Sequence, residues 1–203
     1  MLTVVKVGGG VGADALRALC TTLGELGERH PLLVVPGGAG FADAVRDADR
    51  RFGLRAETSD RMAILGMEQF GWLLSDLIPG AERSMRLEGV RAGRTVVLLP
   101  AGLALEGLPA SWEVTSDSIA AWVAGKVGAD RLVLVKRDEA LTSRGELRPG
   151  AVDDYLPTVL ADARFETWVV GGRDPNQLAE LLDHGTTVGT RIEAGRLLPW
   201  RDG

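Results

Sequence analysis

Cysteine occurs once in the 203 residues, at Cys20, so the chain can form neither an internal disulfide nor a thiolate cage for a metal. Basic residues give no excess either: 23 Lys plus Arg stand against 28 Asp plus Glu, a net charge of -5 with a pI near 5.2. A surface for nucleic acid or anionic lipid needs the opposite balance, so neither is expected as a partner. No uninterrupted apolar run approaches the roughly 20 residues of a membrane span. The opening MLTVVKVGGG sets no charged leader before an apolar stretch, and a reducing cytoplasm is the expected compartment. Aromatic side chains make up only 5%, and the five tryptophans, Trp72, Trp112, Trp122, Trp168 and Trp200, follow no common spacing. They read as core or interface residues, not as a stacking platform for bases. His30 and His184 both fall at apparent helix ends, and no serine stands in a nucleophile elbow, so Ser-His-Asp chemistry is not prepared.

What is present is an ordinary globular composition, 45% hydrophobic and 25% charged, in a length that suits one domain. Five short runs, residues 2–7, 32–35, 95–99, 132–135 and 167–170, are β-branched and nearly continuous in apolar character, the pattern of parallel strands buried on both faces. Helical periods lie between them. Residues 13–26 put Leu16, Leu19, Leu23 and Leu26 on one face, residues 58–77 repeat this with Met62, Leu65, Leu73 and Leu77, and residues 120–127 and 175–182 add two more. The alternation predicts an α/β fold, a three-layer αβα sandwich with an open, mostly parallel central sheet, in a single domain over 1–203. Residues 137–149, charged and rich in turn formers, read as an exposed loop near a site.

In such sheets ligands bind where the carboxyl ends of the strands open into a crevice. There the first strand carries Lys6 and runs into Gly8, Gly9 and Gly10, and the second runs into Pro36, Gly37, Gly38, Ala39 and Gly40. Glycines let a backbone approach an anion with its N–H groups forward, and a following helix start adds about half a positive charge. Two such loops can hold two anionic groups, although either alone also serves as a tight strand-to-helix turn. Residues 8–13 fit G-x-G-x-x-A, but the second strand ends in Pro36-Gly37-Gly38 where a ribose-binding carboxylate is needed, which weakens a nicotinamide reading. Gly125-Lys126 is followed by Val127, not Ser or Thr, which excludes a P-loop. In residues 113–121, Thr115 or Ser116 can cap a helix whose first turn holds Asp117, aimed back at the strand ends; the alternative is a carboxylate that merely starts a helix. Only three of the basic residues are lysines, Lys6, Lys126 and Lys136, each beside a strand or a site element. A lysine on a buried first strand is a compact charge suited to a phosphoryl group in transfer, and a carboxylate beside it would hold it charged.

Together, Lys6-x-Gly8-Gly9-Gly10, Pro36-Gly37-Gly38-Ala39-Gly40 and Thr115-Ser116-Asp117-Ser118-Ile119-Ala120-Ala121 resemble the amino acid kinase superfamily, which includes acetylglutamate, carbamate, uridylate and isopentenyl phosphate kinases. The resemblance covers nearly the whole chain: residues 131–141 look like the family's strand and loop for the nucleotide, and residues 189–192 like its closing strand. Residues 111–118 and 152–157 look most like the methanofuran-biosynthesis branch, which adds a second phosphoryl group to [5-(aminomethyl)furan-3-yl]methyl phosphate.

The resemblance implies ATP as donor, with Mg2+ carried in on it, and a small phosphorylated acceptor. Lys6 would stabilise the phosphoryl group in flight and Asp117 would organise the lysine. Gly8, Gly9, Gly10, Lys136 and Asp138 would serve the ATP, while Gly37, Gly38 and Arg61 would serve the acceptor. Residues 1–110 would form the acceptor half and 111–203 the nucleotide half. Asp43, Arg46, Arg50, Asp60 and Met62 are further candidates for acceptor selection, most of them also readable as a solvated helix face. Two departures stand out: residues 137–141 lack the usual Val-Asp-Gly, and Gly171-Gly172 is followed by Arg173 where many members carry a second catalytic lysine a few residues on. Arg173, Lys136 or Lys126 would have to supply that charge. Transfer would be direct and in line, since an ionised phosphate acceptor needs no general base. The helix of residues 58–77 carries more apolar surface than one sheet face needs, and family members pair through this region, so a homodimer is expected. Other acceptors (isopentenyl phosphate, a nucleoside monophosphate, a carboxylate or a phosphonate) and a non-catalytic nucleotide- or oxyanion-binding role stay open.

Overall fold

β1 (Thr3–Val7) is buried along its whole length, and its alternate side chains enter two different cores. Val4 packs with Leu132 and Leu134 of β5 (Arg131–Lys136) beneath α4 (Ser116–Val127). Val5 and Val7 pack on the other side with Leu16, Leu19 and Leu23 of α1 (Ala13–Arg29). The computed structural model describes residues 1–88, 90, 93–142 and 146–192, so Trp200 lies outside the described residues. The remaining elements are β2 (Leu32–Pro36), α2 (Ala39–Phe52), α3 (Ala56–Leu77), β3 (Glu82–Ser84), β4 (Thr95–Leu98), α5 (Leu156–Leu160), β6 (Glu166–Gly171), α6 (Asn176–His184) and β7 (Thr190–Ile192).

The sheet runs β3-β4-β2-β1-β5-β6-β7, parallel throughout except for β7, which is antiparallel to β6. From β1 the chain winds one way through β2 and β4, then returns across β1 to wind the other way through β5 and β6. β1 is therefore the switch point, and the crevice at its carboxyl end is the place for a ligand. α1, α6 and the second half of α3 cover one face; α4 and α5 cover the other.

The five expected strands are all present, and the sheet is the three-layer, mostly parallel one the alternation predicts. α4 starts at Ser116, four residues ahead of the apolar period, because its first turn is polar yet buried. Periodicity does not mark α2, of which only Ala42 and Val45 are buried. It forms by folding back on α3 as a helical hairpin, with Gly53 at φ 61 closing its last turn in the left-handed conformation. Within the described part of the stretch 137–149, a 3-10 turn covers Asp138–Ala140, and Leu141 bridges to Leu147. No helix among the described residues is long and apolar enough to cross a membrane.

Candidate active site

Side chains alternate along a strand, so Lys6 shares the α4 side of β1 with Val4, and Lys136 shares the α4 side of β5 with Leu132 and Leu134. Asp117, the second residue of α4, comes down between them. Its Oδ1 lies 2.9 Å from Lys6 Nζ and its Oδ2 2.5 Å from Lys136 Nζ. The three side chains are only 6%, 14% and 3% exposed for Lys6, Lys136 and Asp117. Burial alone would push the Asp117 carboxyl up, but the ammonium groups of Lys6 and Lys136 outweigh it and hold the carboxyl below the ordinary carboxylate range. Lys136 is pulled down to about 8, first by burial and then by Lys6, against the pull of Asp117. Lys6 and Lys136, with Arg137 and Arg148 along the same cavity, outnumber Glu139, the one carboxylate that lines it. An anion is what such a cluster is built to receive.

Of the three candidates for a second cation, the structure brings Lys136 beside Lys6. Lys126 is exposed at the end of α4, its ammonium 5.2 Å from the Trp122 ring centroid. Arg173, 76% exposed, turns outward to pair with Asp138 at 3.4 Å and lines neither cavity at the crevice. Asp138 also points away from the crevice, accepting the Arg173 backbone N–H at 3.1 Å. It ties the turn after β5 to the turn after β6, and Gly171 leaves it room, since a Cβ there would stand 2.9 Å from its Oδ1.

The two glycine loops meet backbone to backbone. Gly8 N–H donates to Val135 O and Gly37 N–H to Val7 O, so these two amides close the strand ends and are not free for a ligand. The N–H groups of Gly9, Gly10 and Gly38 make no hydrogen bond among the described residues. A Cβ on Gly9 would fall 2.2 Å from Ala39 Cα, so this glycine is required by the neighbouring loop as well as open to a ligand. Ala39 itself is held at φ 48, the one non-glycine at positive φ among the described residues, where α2 begins.

Two cavities share Gly9 and Gly10. One, of about 350 Å3, is lined by Lys6, Gly8, Lys136, Arg137 and Arg148. The other, of about 540 Å3, lies between α2, α3 and residues 110–119 and reaches Gly38 and Ala39. Arg61 is not part of it: its guanidinium donates to Ala101 O, while the neighbouring Asp60 faces the cavity. One residue along a helix is a 100° rotation, and positions 56, 60, 63 and 67 form the lining face. Trp112, read from the sequence as core or interface, also lines this cavity. Its Nε1 donates to Asp49 at 2.6 Å and its ring carries the Arg46 guanidinium 4.8 Å above it.

Asp153 is the residue the sequence reading missed. Its carboxylate accepts the backbone N–H and hydroxyl of both Thr115 and Ser118 and the N–H of Leu156, and its own N–H donates to Asp117 Oδ2 at 3.3 Å. The start of α4 is therefore capped from outside by Asp153, not by the Thr115 or Ser116 side chain. The stretch 152–157 offered its only signal.

A parallel αβα sheet that sets two buried lysines, joined by one carboxylate, on the smaller of two cavities sharing a glycine edge has the chemistry that phosphoryl transfer calls for. The chain belongs to the amino acid kinase family, whose model matches residues 1–151. It is 26% identical to the [5-(aminomethyl)furan-3-yl]methyl phosphate kinase of Methanocaldococcus jannaschii, over 93% of this chain and 96% of that protein. In fold it is similar to uridylate kinase from Archaeoglobus fulgidus, at a TM-score of 0.74 and 20% identity over 95% of this chain and all of that one. It is similar also to an isopentenyl phosphate kinase, at 0.61 and 14% over 95% and 100% of the two chains.

Proposed function

We propose that the protein transfers the γ-phosphoryl group of ATP to a phosphate monoester, [5-(aminomethyl)furan-3-yl]methyl phosphate, giving its diphosphate for a methanofuran-type cofactor. The observation that carries the phosphotransferase step is the Lys6–Asp117–Lys136 cluster, whose two lysines line the smaller cavity beside the Gly9 and Gly10 edge that it shares with the larger one. The relative from Methanocaldococcus jannaschii, together with residues 111–118 and 152–157, supports the choice of acceptor.

In this reading ATP lies along the smaller cavity with its phosphates toward Gly9, Gly10, Lys6 and Lys136, and the acceptor phosphate lies at Gly38 and the start of α2. An oxygen of the acceptor phosphate attacks Pγ as the bond from Pγ to the bridging oxygen breaks and ADP leaves. Lys6 and Lys136 neutralise the charge on the group in transit, and Asp117 keeps both ammonium groups aimed at it. Magnesium carried in on the nucleotide would neutralise part of its phosphate charge. Residues 1–110 supply most of the acceptor cavity and the later half most of the nucleotide side, with residues 110–119 serving the acceptor as well. The assembly is a homodimer joined through the exposed apolar stripe of α3.

Phosphorus NMR tests the reaction directly. Mg-ATP with the aminomethylfuran phosphate should yield ADP and the coupled doublets of a diphosphate, while isopentenyl phosphate, UMP, acetylglutamate and fosfomycin stay unchanged. Turnover of another member of that panel alone would discard the acceptor and keep the kinase. Lys6→Ala should lower kcat roughly 100- to 1000-fold with the fold intact. ATP binding without turnover of any acceptor would favour the non-catalytic reading.

A further inference from the structure

The charges around the acceptor cavity do not suit a simple phosphate ester. Three carboxylates, Asp43, Asp49 and Asp60, and one cation, Arg46, line it. A dianionic phosphate entering a wall of net negative charge is repelled unless the same molecule brings a cation. Two of the carboxylates already have partners: Asp43 pairs with Arg46 at 2.8 Å, and Asp49 accepts from Trp112 Nε1 and from Leu54 N–H. Asp60 makes no hydrogen bond and no ion pair among the described residues, because Arg61 beside it is committed to Ala101 O.

The helical hairpin supplies a ruler. At Gly66, α3 lies against the first turn of α2, where a Cβ would stand 3.2 Å from Ala42 N. That is the end of the cavity at Gly38, where the phosphate belongs. Asp60 lies six residues nearer the start of α3, about 9 Å along its axis at 1.5 Å per residue. Asp49, Trp112 and Leu54 line the same distant part of the hairpin, where α2 ends and α3 begins. A small ring carrying a phosphomethyl group on one side and an aminomethyl group on the other spans such a distance.

We propose that Asp60 is the specificity-determining residue of this site, its carboxylate receiving the ammonium group of an acceptor whose phosphate lies at Gly38. This rests on the function proposed above and deepens it: an acceptor without a cation, such as a nucleoside monophosphate or isopentenyl phosphate, leaves Asp60 facing a neutral group across a confined space. The carboxyl is already raised by burial, with Arg61 opposing in part, so it lacks in the free protein the partner an ammonium would provide.

The test compares two acceptors and two proteins. [5-(Aminomethyl)furan-3-yl]methyl phosphate and its analogue with methyl in place of aminomethyl are each given to wild type and to Asp60→Asn, with Mg-ATP. Wild type should prefer the amine roughly 100-fold in kcat/KM, as expected for a charge-assisted hydrogen bond in a confined site. In Asp60→Asn that preference should vanish, through a raised KM for the amine and a higher kcat/KM for the methyl analogue, and the variant should melt no lower than wild type. A variant that keeps the preference, a wild type that takes both acceptors equally, or equal loss on both acceptors with a lower melting temperature would each overturn the role of Asp60. A wild type that turns over neither furan but another phosphate ester would instead overturn the proposed acceptor itself.

Discussion

Between pH 8 and 10.5 Lys136 loses its proton in the folded chain while the unfolded chain keeps it, since its ammonium falls from the ordinary 10.5 to about 8 on folding. In that window the unfolded state binds more protons, so this group makes the fold more stable as pH rises. A fall in activity over the same range therefore reports loss of the cation, not unfolding. The kcat/KM for ATP should drop as pH rises through about 8, and the kcat limb should lie higher because bound phosphates hold the proton. Lys136→Arg should remove the limb, since a guanidinium stays charged, at a cost in kcat from its larger fork. Asp153→Asn should shift the limb below 8, because the Asp153 charge helps keep Lys136 protonated, and should cost about 1 kcal/mol of stability as a weakened helix cap. Rate against pH, beside a melting curve at each pH, checks all three. A limb unmoved in Asp153→Asn would reduce that residue to a cap. Lys6 and Asp117 were legible in the sequence because a rare lysine on a buried strand and a carboxylate at a helix start each stand in a recognisable place. Asp153 was not, since its partners at the start of α4 lie 35 to 38 residues away and are met only after folding. Asp60 and Arg61 are neighbours on one helix, and only the angle of that helix to the cavity separates them.

Among the elements, the central strands were the easiest to read because burial on both faces leaves a continuous apolar run, as in Leu32–Pro36 and in residues 132–135. β3 is short, exposed and charged, and gains its strand form only by pairing with β4. α2 shows too few buried apolar positions to betray a helix; its packing on α3 decides it. The glycine loops were legible as turns at the carboxyl ends of the first two strands, but their mutual contact was not, because it joins residues of two separate loops. That contact makes a prediction. Gly9→Ala must push Ala39 away and should cost about 1–3 kcal/mol by overpacking, with a marked loss of turnover as both loops shift. Gly40→Ala, at the second residue of α2 with open space around it, should leave turnover within a few-fold and raise stability by about 0.5–1 kcal/mol. Urea denaturation of the two variants separates a crowded glycine from a spare one; similar losses in both would remove the loop contact from the account.

For the whole molecule, α3 presents different surfaces on its two sides. Its inner face, with Asp60, Ala63 and Met67, lines the larger cavity. Its outer side carries Met62, Leu65, Trp72 and Leu73, between 36% and 49% exposed, in one stripe, with Phe41 of α2 beside it. Scattered apolar residues on a surface need no explanation, but a stripe along one helix is a surface fit for a partner. Pairing of two copies through it would also hold the cavity wall in place from behind, which couples assembly to acceptor binding. Light scattering at micromolar concentration should give twice 21.5 kDa, with little dependence on salt because the contact is apolar. Leu65→Glu should halve that mass while the far-ultraviolet spectrum stays that of the folded chain, since an exposed glutamate costs a monomer nothing. The buried Lys6–Asp117–Lys136 cluster lies within one chain, so the monomer should keep its kcat and lose affinity for the acceptor. A wild type that scatters as a single chain would take the dimer away and leave the chemistry; a monomeric variant with kcat abolished and KM unchanged would mean that the second copy acts on the reacting groups and not on the cavity wall.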